Sequence, residues 1–274
     1  MTTFRVVPIV ILAALLGGRG AVGTELGEPH RARLLAAYPD ALESIDGSHL
    51  VWRDGTRMPL DDGKGEKPFD RWLADPDIAD MFALPYTADA EAVQPARNAD
   101  PGRARTAAFF DKLYGDCRKG EVEKNLAMVP WLPKRTKQRL PFNRLNGAAD
   151  ALAAVSRELD ELPPSFDVFL IPSAGTYNCR VIAGTDRVSA HGHAIAIDIA
   201  LKHAHYWRNG KPAADGTIVY RNTIPMEIVR IFEKHGFIWG GRWYHYDTMH
   251  FEYRPELLGR ELLGLSGTVE AERK

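Results

Sequence analysis

The chain has 274 residues, of which 45% are hydrophobic and 26% charged, and its formal net charge is −1. This length and apolar content suit one globular domain with a substantial core and an additional lobe. The near-neutral charge gives no reason to expect a nucleic-acid partner.

The N-terminus has the features of a secretory signal peptide over residues 1–23. One cationic residue, Arg5, precedes an apolar run over 6–16, and the small residues Ala21 and Gly23 suit a signal-peptidase site. The apolar run is too short for a permanent membrane span. We therefore expect an exported protein, periplasmic or secreted, with no stable membrane span after cleavage. A buried N-terminal helix or an uncleaved anchor is the alternative.

Residues 24–100 are predicted to form an N-terminal lobe and a linker. Asp54 and Gly55 lie in the middle of 49–60 and are a strong turn signal, so this stretch predicts a β-hairpin. The stretch 92–105 is rich in Pro, Ala, Arg, Asn and Asp, which is typical of a connection between lobes. We find no chemical motif in this part of the chain, and expect its aromatic residues to serve packing.

Residues 101–265 are predicted to form the main domain, followed by a flexible tail over 266–274. Helices are predicted over 106–126 (interrupted near Gly115), 146–162 and 223–236, the last capped by Thr223 with Pro225 in its first turn. Strands are predicted over 166–172, 194–201, 237–241 and 249–254. The elements alternate without a regular crossover repeat, which favours an α+β fold with helices packed on a mostly antiparallel sheet.

The two cysteines, Cys117 and Cys179, make up the complete set of thiols in the sequence. An exported protein folds in an oxidising compartment, where such a pair can form a disulfide. Two buried free thiols are the alternative. A thiol nucleophile is a third and weaker interpretation.

The stretch from Ser189 to Ile199 places histidines beside the strand predicted over 194–201. Alternate residues of a strand point to opposite faces, so one face carries isoleucines and a leucine while the other carries alanines and Asp198. A lone carboxylate on an otherwise buried strand needs a partner. Asp198 is therefore either hydrogen-bonded to a loop or part of a binding site.

The stretch 243–252 contains the best candidates to complete such a site. His191, Asp198 and His250 would supply two imidazoles and one carboxylate, and three protein ligands are usual for a catalytic zinc ion. Such an ion lowers the pKa of a bound water, and a nearby carboxylate can accept the proton. On composition alone, His193 could replace His191, and a structural zinc ion without catalysis would also fit.

The first of these stretches resembles the Ser-x-His-x-x-Gly-x-Ala-x-Asp motif of the D-Ala-D-Ala-type zinc peptidases. This family includes vancomycin-resistance dipeptidases, D,D-carboxypeptidases and phage L-alanyl-D-glutamate endolysins, and its fold is shared with lysostaphin-type peptidases and the hedgehog signalling domain. Four motif positions match, at Ser189, His191, Ala196 and Asp198, whereas Ala194 replaces the usual glycine. The resemblance covers roughly 143–254.

The second stretch, with the residues that precede it from Gly236, is most similar to the endolysin branch. The resemblance implies one zinc ion held by His191, Asp198 and His250, because the motif register prefers His191 to His193. It implies that Asp247 is the general base and that Arg180 holds the substrate or the developing oxyanion. Ser189 and His245 are expected to line the substrate cleft.

The alternation of strand side chains makes the assignment of the base conditional. A strand that began at Asp247 would point this residue away from His250, whereas Glu252 would share the face of His250. The resemblance therefore requires Asp247 to lie in a turn before the strand. Glu252 is the second candidate for the base, or a partner that orients a metal ligand.

The sequence thus predicts an exported zinc metallopeptidase, similar to D-alanyl-D-alanine carboxypeptidases, with a single zinc site in a cleft. Its partners would be peptidoglycan stem peptides, and both L-Ala-D-Glu and D-Ala-D-Ala bonds are compatible with the pattern. A catalytically inactive, zinc-stabilised module that binds cell-wall peptides is the main alternative. Another zinc hydrolase, such as an amidase, is the third.

Overall fold

The computed structural model describes residues 26–259. The signal peptide predicted over 1–23 and the tail predicted over 266–274 lie outside the described residues. Between residues 26 and 259, no helix combines the length and the apolar character that crossing a membrane requires.

The described part of the chain combines six α-helices with eight short strands. The helices are α1 (Glu28–Ala37), α2 (Phe69–Ala74), α3 (Ala107–Tyr114), α4 (Ala148–Leu159), α5 (Asp167–Leu170) and α6 (Met226–Lys234). The strands are β1 (Leu42–Asp46), β2 (His49–Trp52), β3 (Arg57–Pro59), β4 (Leu126–Pro130), β5 (Arg139–Asn143), β6 (Ala196–Asp198), β7 (Phe237–Trp239) and β8 (His250–Tyr253). The prediction of an α+β fold is confirmed.

The strands form three small antiparallel sheets, ordered β1-β2-β3, β4-β5 and β6-β8-β7. The third sheet matters most, because β8 lies at its centre and pairs with both neighbours. In its register Asp198 lies opposite His250, and Ala196 lies opposite Glu252. This pairing places a carboxylate and an imidazole of the two predicted stretches side by side.

One hydrophobic cluster contains residues from both predicted parts of the chain, for example Leu34 and Trp52 together with Phe232 and Phe251. The rings of Phe232 and Phe251 stack with centroids 3.9 Å apart between α6 and the central strand. Full burial of each such side chain contributes about 1.5–3 kcal/mol. The N-terminal segment therefore shares a core with the main domain, and the division near residue 100 stays a prediction.

The structure follows the predicted pattern in three further places. Strands β2 and β3 form the hairpin expected over 49–60, and Gly55 has the positive φ of +82° that its turn requires. Helix α4 lies inside the predicted 146–162. Helix α6 ends before Gly236, whose φ is +90°.

Two predicted strands differ from the structure. The stretch 166–172 is not a strand: a turn that begins with Pro164 leads into α5, because proline suits the first helical position and a short apolar run does not separate strand from helix. The strand predicted over 194–201 is shortened to β6. Ala194 has a φ of +54°, in the left-handed region, so the extended conformation cannot begin there.

The helix predictions need two corrections. In the helix predicted over 106–126, the interruption near Gly115 is confirmed, because Gly115 with a φ of +95° terminates α3, but the part beyond Gly115 forms no α-helix and leads into β4. Thr223 does not cap α6, because Pro225 occupies the capping position and the Thr223 hydroxyl donates to the carbonyl of His203 at 2.5 Å. Helix α1, strand β1 and the β4-β5 hairpin were not predicted.

Candidate metal centre

The turn that carries His191 is fixed by its neighbours. Ser189 caps this turn, and its Oγ accepts a hydrogen bond from the His191 backbone N–H at 3.4 Å. The ring Nδ1 of His191 donates to the carbonyl of Thr176 at 2.5 Å. This bond leaves Nε2 free of a proton, which is the form that binds a metal ion.

Three predicted ligands converge through single atoms. The distances are 3.3 Å from His191 Nε2 to Asp198 Oδ1, 2.9 Å from His250 Nδ1 to Asp198 Oδ1, and 3.2 Å between the two ring nitrogens. Ligands at about 2.0–2.1 Å from a tetrahedral zinc ion are about 3.3 Å apart, and zinc accepts nitrogen and carboxylate oxygen. The donor set therefore fits a zinc ion.

The charge of Asp198 is compatible with a ligand role. Burial alone would raise the pKa of its carboxyl group, but its contacts with His191 and His250 hold that pKa well below its usual range. The side chain is therefore an ionised carboxylate at neutral pH.

Glu252 holds the His250 ring from the side opposite Asp198. The His250 Nε2–H donates to Glu252 Oε1 at 2.9 Å, and Arg105 Nη1 donates to the same oxygen at 2.7 Å. Burial would raise the pKa of Glu252, but Arg105 and His250 outweigh it and lower this pKa well below its usual range. These contacts suit an orienting partner better than a base, and they leave Nδ1 of His250 facing Asp198 and His191.

Asp247 lies in the turn before β8, as the alternation of strand side chains required. It forms an isolated bridge with Tyr206 and its backbone N–H donates to the carbonyl of Gly240 at 3.0 Å. Its buried Oδ1 has no hydrogen-bond partner within the described residues. Burial raises the pKa of Asp247 to about 6. A desolvated carboxylate without a structural partner, next to metal ligands, has the properties of a general base.

The ligands and Asp247 line one cleft with a volume of about 150 Å³. Its wall is cationic, with the arginines Arg103, Arg105, Arg180 and Arg208. The guanidinium of Arg180 is exposed and makes no hydrogen bond or ion pair to any residue between 26 and 259. The structure thus leaves this cation available to a substrate.

Ser189 and His245 also line the cleft. His245 is held by Asp100, whose Oδ2 lies 2.7 Å from the ring Nδ1, and it stacks on Phe69 with centroids 5.4 Å apart. Burial would raise the pKa of Asp100, but the bonds from His245 and the charge of Arg103 lower it. Sequence reasoning missed Asp100 and Arg105, because no motif surrounds them.

His193 is separated from the candidate metal centre. Its Nε2 lies 2.8 Å from Asp111 Oδ1 on α3, so the choice of His191 agrees with the geometry.

Cys117 and Cys179 form a disulfide that joins the turn after α3 to the loop before Ser189. Gly192 packs against this bond: a Cβ there would lie 2.5 Å from Val188 Cγ1 and 3.3 Å from Cys117 Sγ.

Comparison with known families agrees with this geometry. Residues 183–253 match the family model described as D-alanyl-D-alanine carboxypeptidase. The matched region includes all three ligands and Asp247, whereas Arg180 and the preceding chain lie outside it. No curated protein and no solved structure matches the chain. The match supports a peptidase, and the endolysin branch stays a prediction.

Proposed function

We propose that the protein is a zinc metallopeptidase that hydrolyses peptide bonds in peptidoglycan stem peptides. The observation that carries the proposal is the half-buried carboxylate of Asp247, whose Oδ1 is buried without a hydrogen-bond partner among residues 26–259, in the same cleft as three converging candidate ligand atoms. A purely structural metal site has no use for such a carboxylate, because its desolvation costs free energy without a compensating bond. The match to the carboxypeptidase model supports the same reaction class.

His191, Asp198 and His250 would hold the ion. A zinc ion bound there would polarise the scissile carbonyl group and lower the pKa of a water molecule. Asp247 would accept the proton of the attacking water and deliver it to the leaving amine. Arg180 would stabilise the negative charge that develops on the carbonyl oxygen.

The charge of the cleft favours a substrate with carboxylates, as stem peptides have. Arg103 and Arg105 are neutralised by Asp100 and Glu252, at 2.6 and 2.7 Å. Arg180 and Arg208 line the cleft without an ion pair to the described residues. These two cations are therefore available to substrate carboxylates.

The space beside the cleft suits a peptide that extends beyond the cleaved bond. A neighbouring cavity of about 580 Å³ shares Arg208 and His245 with it, and is also lined by Trp207 and Tyr244. Aromatic faces beside cations suit the flat amide groups and charges of an extended peptide. We therefore favour cleavage within a stem peptide that remains attached to further residues.

We further propose that the protein acts outside the cytoplasm. The disulfide between Cys117 and Cys179 is typical of an oxidising compartment. The apolar N-terminal stretch predicted as a signal peptide agrees with this location, and the proposed substrate lies there.

The test is product analysis with the purified full chain, zinc and defined muropeptides. Mass spectrometry would identify the bond, and we expect stem-peptide fragments that disappear when a chelator is added. Asp247→Asn should keep the zinc ion and lose turnover. Binding of muropeptides without any product would instead indicate the inactive binding module, and release of whole stem peptides from the glycan would indicate an amidase.

A further inference from the structure

A second cavity, of about 230 Å³, opens at the N-terminal end of α3; we call it the α3 cavity. It is distinct from the metal cleft, and Arg105 is the one residue that lines both. The residues that matter for its chemistry are Arg105, Thr106, Ala107, Ala108, Arg187 and His193. Most of them carry hydrogen-bond donors, and several of these donors have no partner in the part of the chain that the structure describes.

Arg187 is a half-buried cation without a counter-ion among residues 26–259. Its buried Nε and Nη1 make no hydrogen bond to any described residue. Glu252 acts on Arg187 electrostatically, but its carboxylate already forms an ion pair with Arg105 at 2.7 Å. Burial and the repulsion of Arg105 and Arg103 lower the pKa of Arg187 to about 10. An anion in the cavity would relieve both effects.

The N-terminus of α3 adds further donors. Thr106 is the capping residue, but its side chain does not cap the helix, and its buried Oγ1 has no partner in the described chain. The Thr106 carbonyl accepts from the N–H groups of Phe109 and Phe110, which leaves those of Ala107 and Ala108. Unpaired N–H groups and the helix dipole favour an anion at this end of a helix.

His193 is an independent indication of a ligand. Its side chain lines the cavity and is only 3% exposed, yet Nδ1 has no partner among residues 26–259. With Nε2–H donating to Asp111, Nδ1 can accept a hydrogen bond from an anion that bears a proton. The hydrogenphosphate ion offers such an O–H group together with oxygens that accept from arginine.

We propose that the α3 cavity binds a phosphate group through the Arg187 guanidinium, the Thr106 hydroxyl and the first N–H groups of α3. Arg187 contributes the charge, and Nδ1 of His193 accepts a hydrogen bond from the protonated oxygen of the phosphate group. Asp75 is the one carboxylate on the cavity wall, and Lys64 pairs with it at 2.8 Å. The proposal does not depend on the peptidase activity, because the metal ligands take no part in it.

Calorimetric titration of inorganic phosphate into the zinc-free full chain at constant ionic strength tests this site. We expect binding that Arg187→Gln weakens by about tenfold or more, since it removes a charged hydrogen-bond donor. Thr106→Val should weaken it by about threefold, the value of one neutral hydrogen bond. Arg139→Gln, at an exposed arginine away from the cavity, and Asp198→Asn, at the metal centre, should bind as the unaltered chain does.

Thermal unfolding provides a second readout that does not require tight binding. Without phosphate, Arg187→Gln should unfold at the same or a higher temperature, because it removes an unpaired, partly buried charge. With phosphate, Arg187→Gln should unfold at a lower temperature than the unaltered chain, because the bound anion stabilises only the chain that keeps Arg187. Absence of phosphate binding, equal binding by Arg187→Gln, or an unchanged order of unfolding temperatures would overturn the proposal and leave the metal centre unaffected.

The source of the phosphate group follows from a parallel titration. Glycerol 3-phosphate carries the same group on a carbon chain. Tighter binding of this ester than of the free ion would support the site and assign it to a phosphorylated molecule. Tighter binding of inorganic phosphate would support the site and assign it to the free ion.

Discussion

Replacing Glu252 with glutamine separates the role of an orienting partner from that of a base. The carboxylate accepts from His250 at 2.9 Å and from Arg105 at 2.7 Å, and all three side chains are buried. Glutamine keeps the shape and one acceptor oxygen but leaves Arg105 without its counter-ion. Removing one partner of a buried ion pair lowers the free energy of unfolding by about 3–5 kcal/mol. Because glutamine keeps one acceptor oxygen, we expect a loss of about 3 kcal/mol for Glu252→Gln.

The effect on the metal follows from the same contacts. Loss of a group that orients a metal-binding histidine lowers metal affinity by about 10- to 100-fold. We therefore expect Glu252→Gln to need more zinc for half-maximal activity and to recover most of its turnover at saturating zinc. Its unfolding temperature should fall by about 6–12 °C, at about 2–4 °C for each kcal/mol.

The assay is a zinc titration of turnover on a muropeptide substrate, with Asp247→Asn as the matched control. Asp247→Asn should show the opposite pattern: an unchanged zinc requirement and a turnover reduced by about 10²- to 10⁴-fold, the usual contribution of a general base. The reasoning would be refuted if saturating zinc failed to restore Glu252→Gln, or if Asp247→Asn kept its turnover.

Three further predictions concern the surroundings of the cleft. Arg180→Gln should reduce kcat/KM by about 10²- to 10³-fold without changing the unfolding temperature, because the side chain is exposed and has no partner among the described residues; an equal loss in Arg139→Gln would contradict this. Asp100→Asn should lower the free energy of unfolding by about 2 kcal/mol at neutral pH. The pKa of Asp100 is lower in the folded chain than in the unfolded chain, so this difference in free energy should persist above pH about 4 and shrink as the pH falls through the folded pKa. Acid titration of the stability of Asp100→Asn and of the unaltered chain would measure it. Ala194→Gly should raise the free energy of unfolding by about 1 kcal/mol in urea, because the residue has a φ of +54°, whereas Ala196→Gly in β6 should lower it.

The group of candidate metal ligands was predictable because its signals are local. Side-chain alternation singled out Asp198, the family motif selected His191, and the alternation in the last strand required Asp247 to precede it. The structure brings these groups together through the antiparallel pairing of β6 with β8. The positive φ of Ala194 also gives a physical reason for the glycine usual at that motif position.

The groups that support the ligands were not predictable in the same way. Arg105 and Asp100 reach Glu252 and His245 across about 145 residues of chain, and no spacing rule connects such distant positions. The stretch 166–172 was predicted as a strand because a short apolar run fits the side-chain period of a strand and that of a helix equally well. The unpaired donors of the α3 cavity appear only when Arg187 meets α3 in the folded chain.

Mass spectrometry of defined muropeptides incubated with the zinc-loaded full chain tests the central proposal most directly. We predict new stem-peptide fragments that form with zinc, disappear on chelation and are lost in Asp247→Asn. A zinc-loaded protein that binds these muropeptides and leaves their masses unchanged would contradict the proposal.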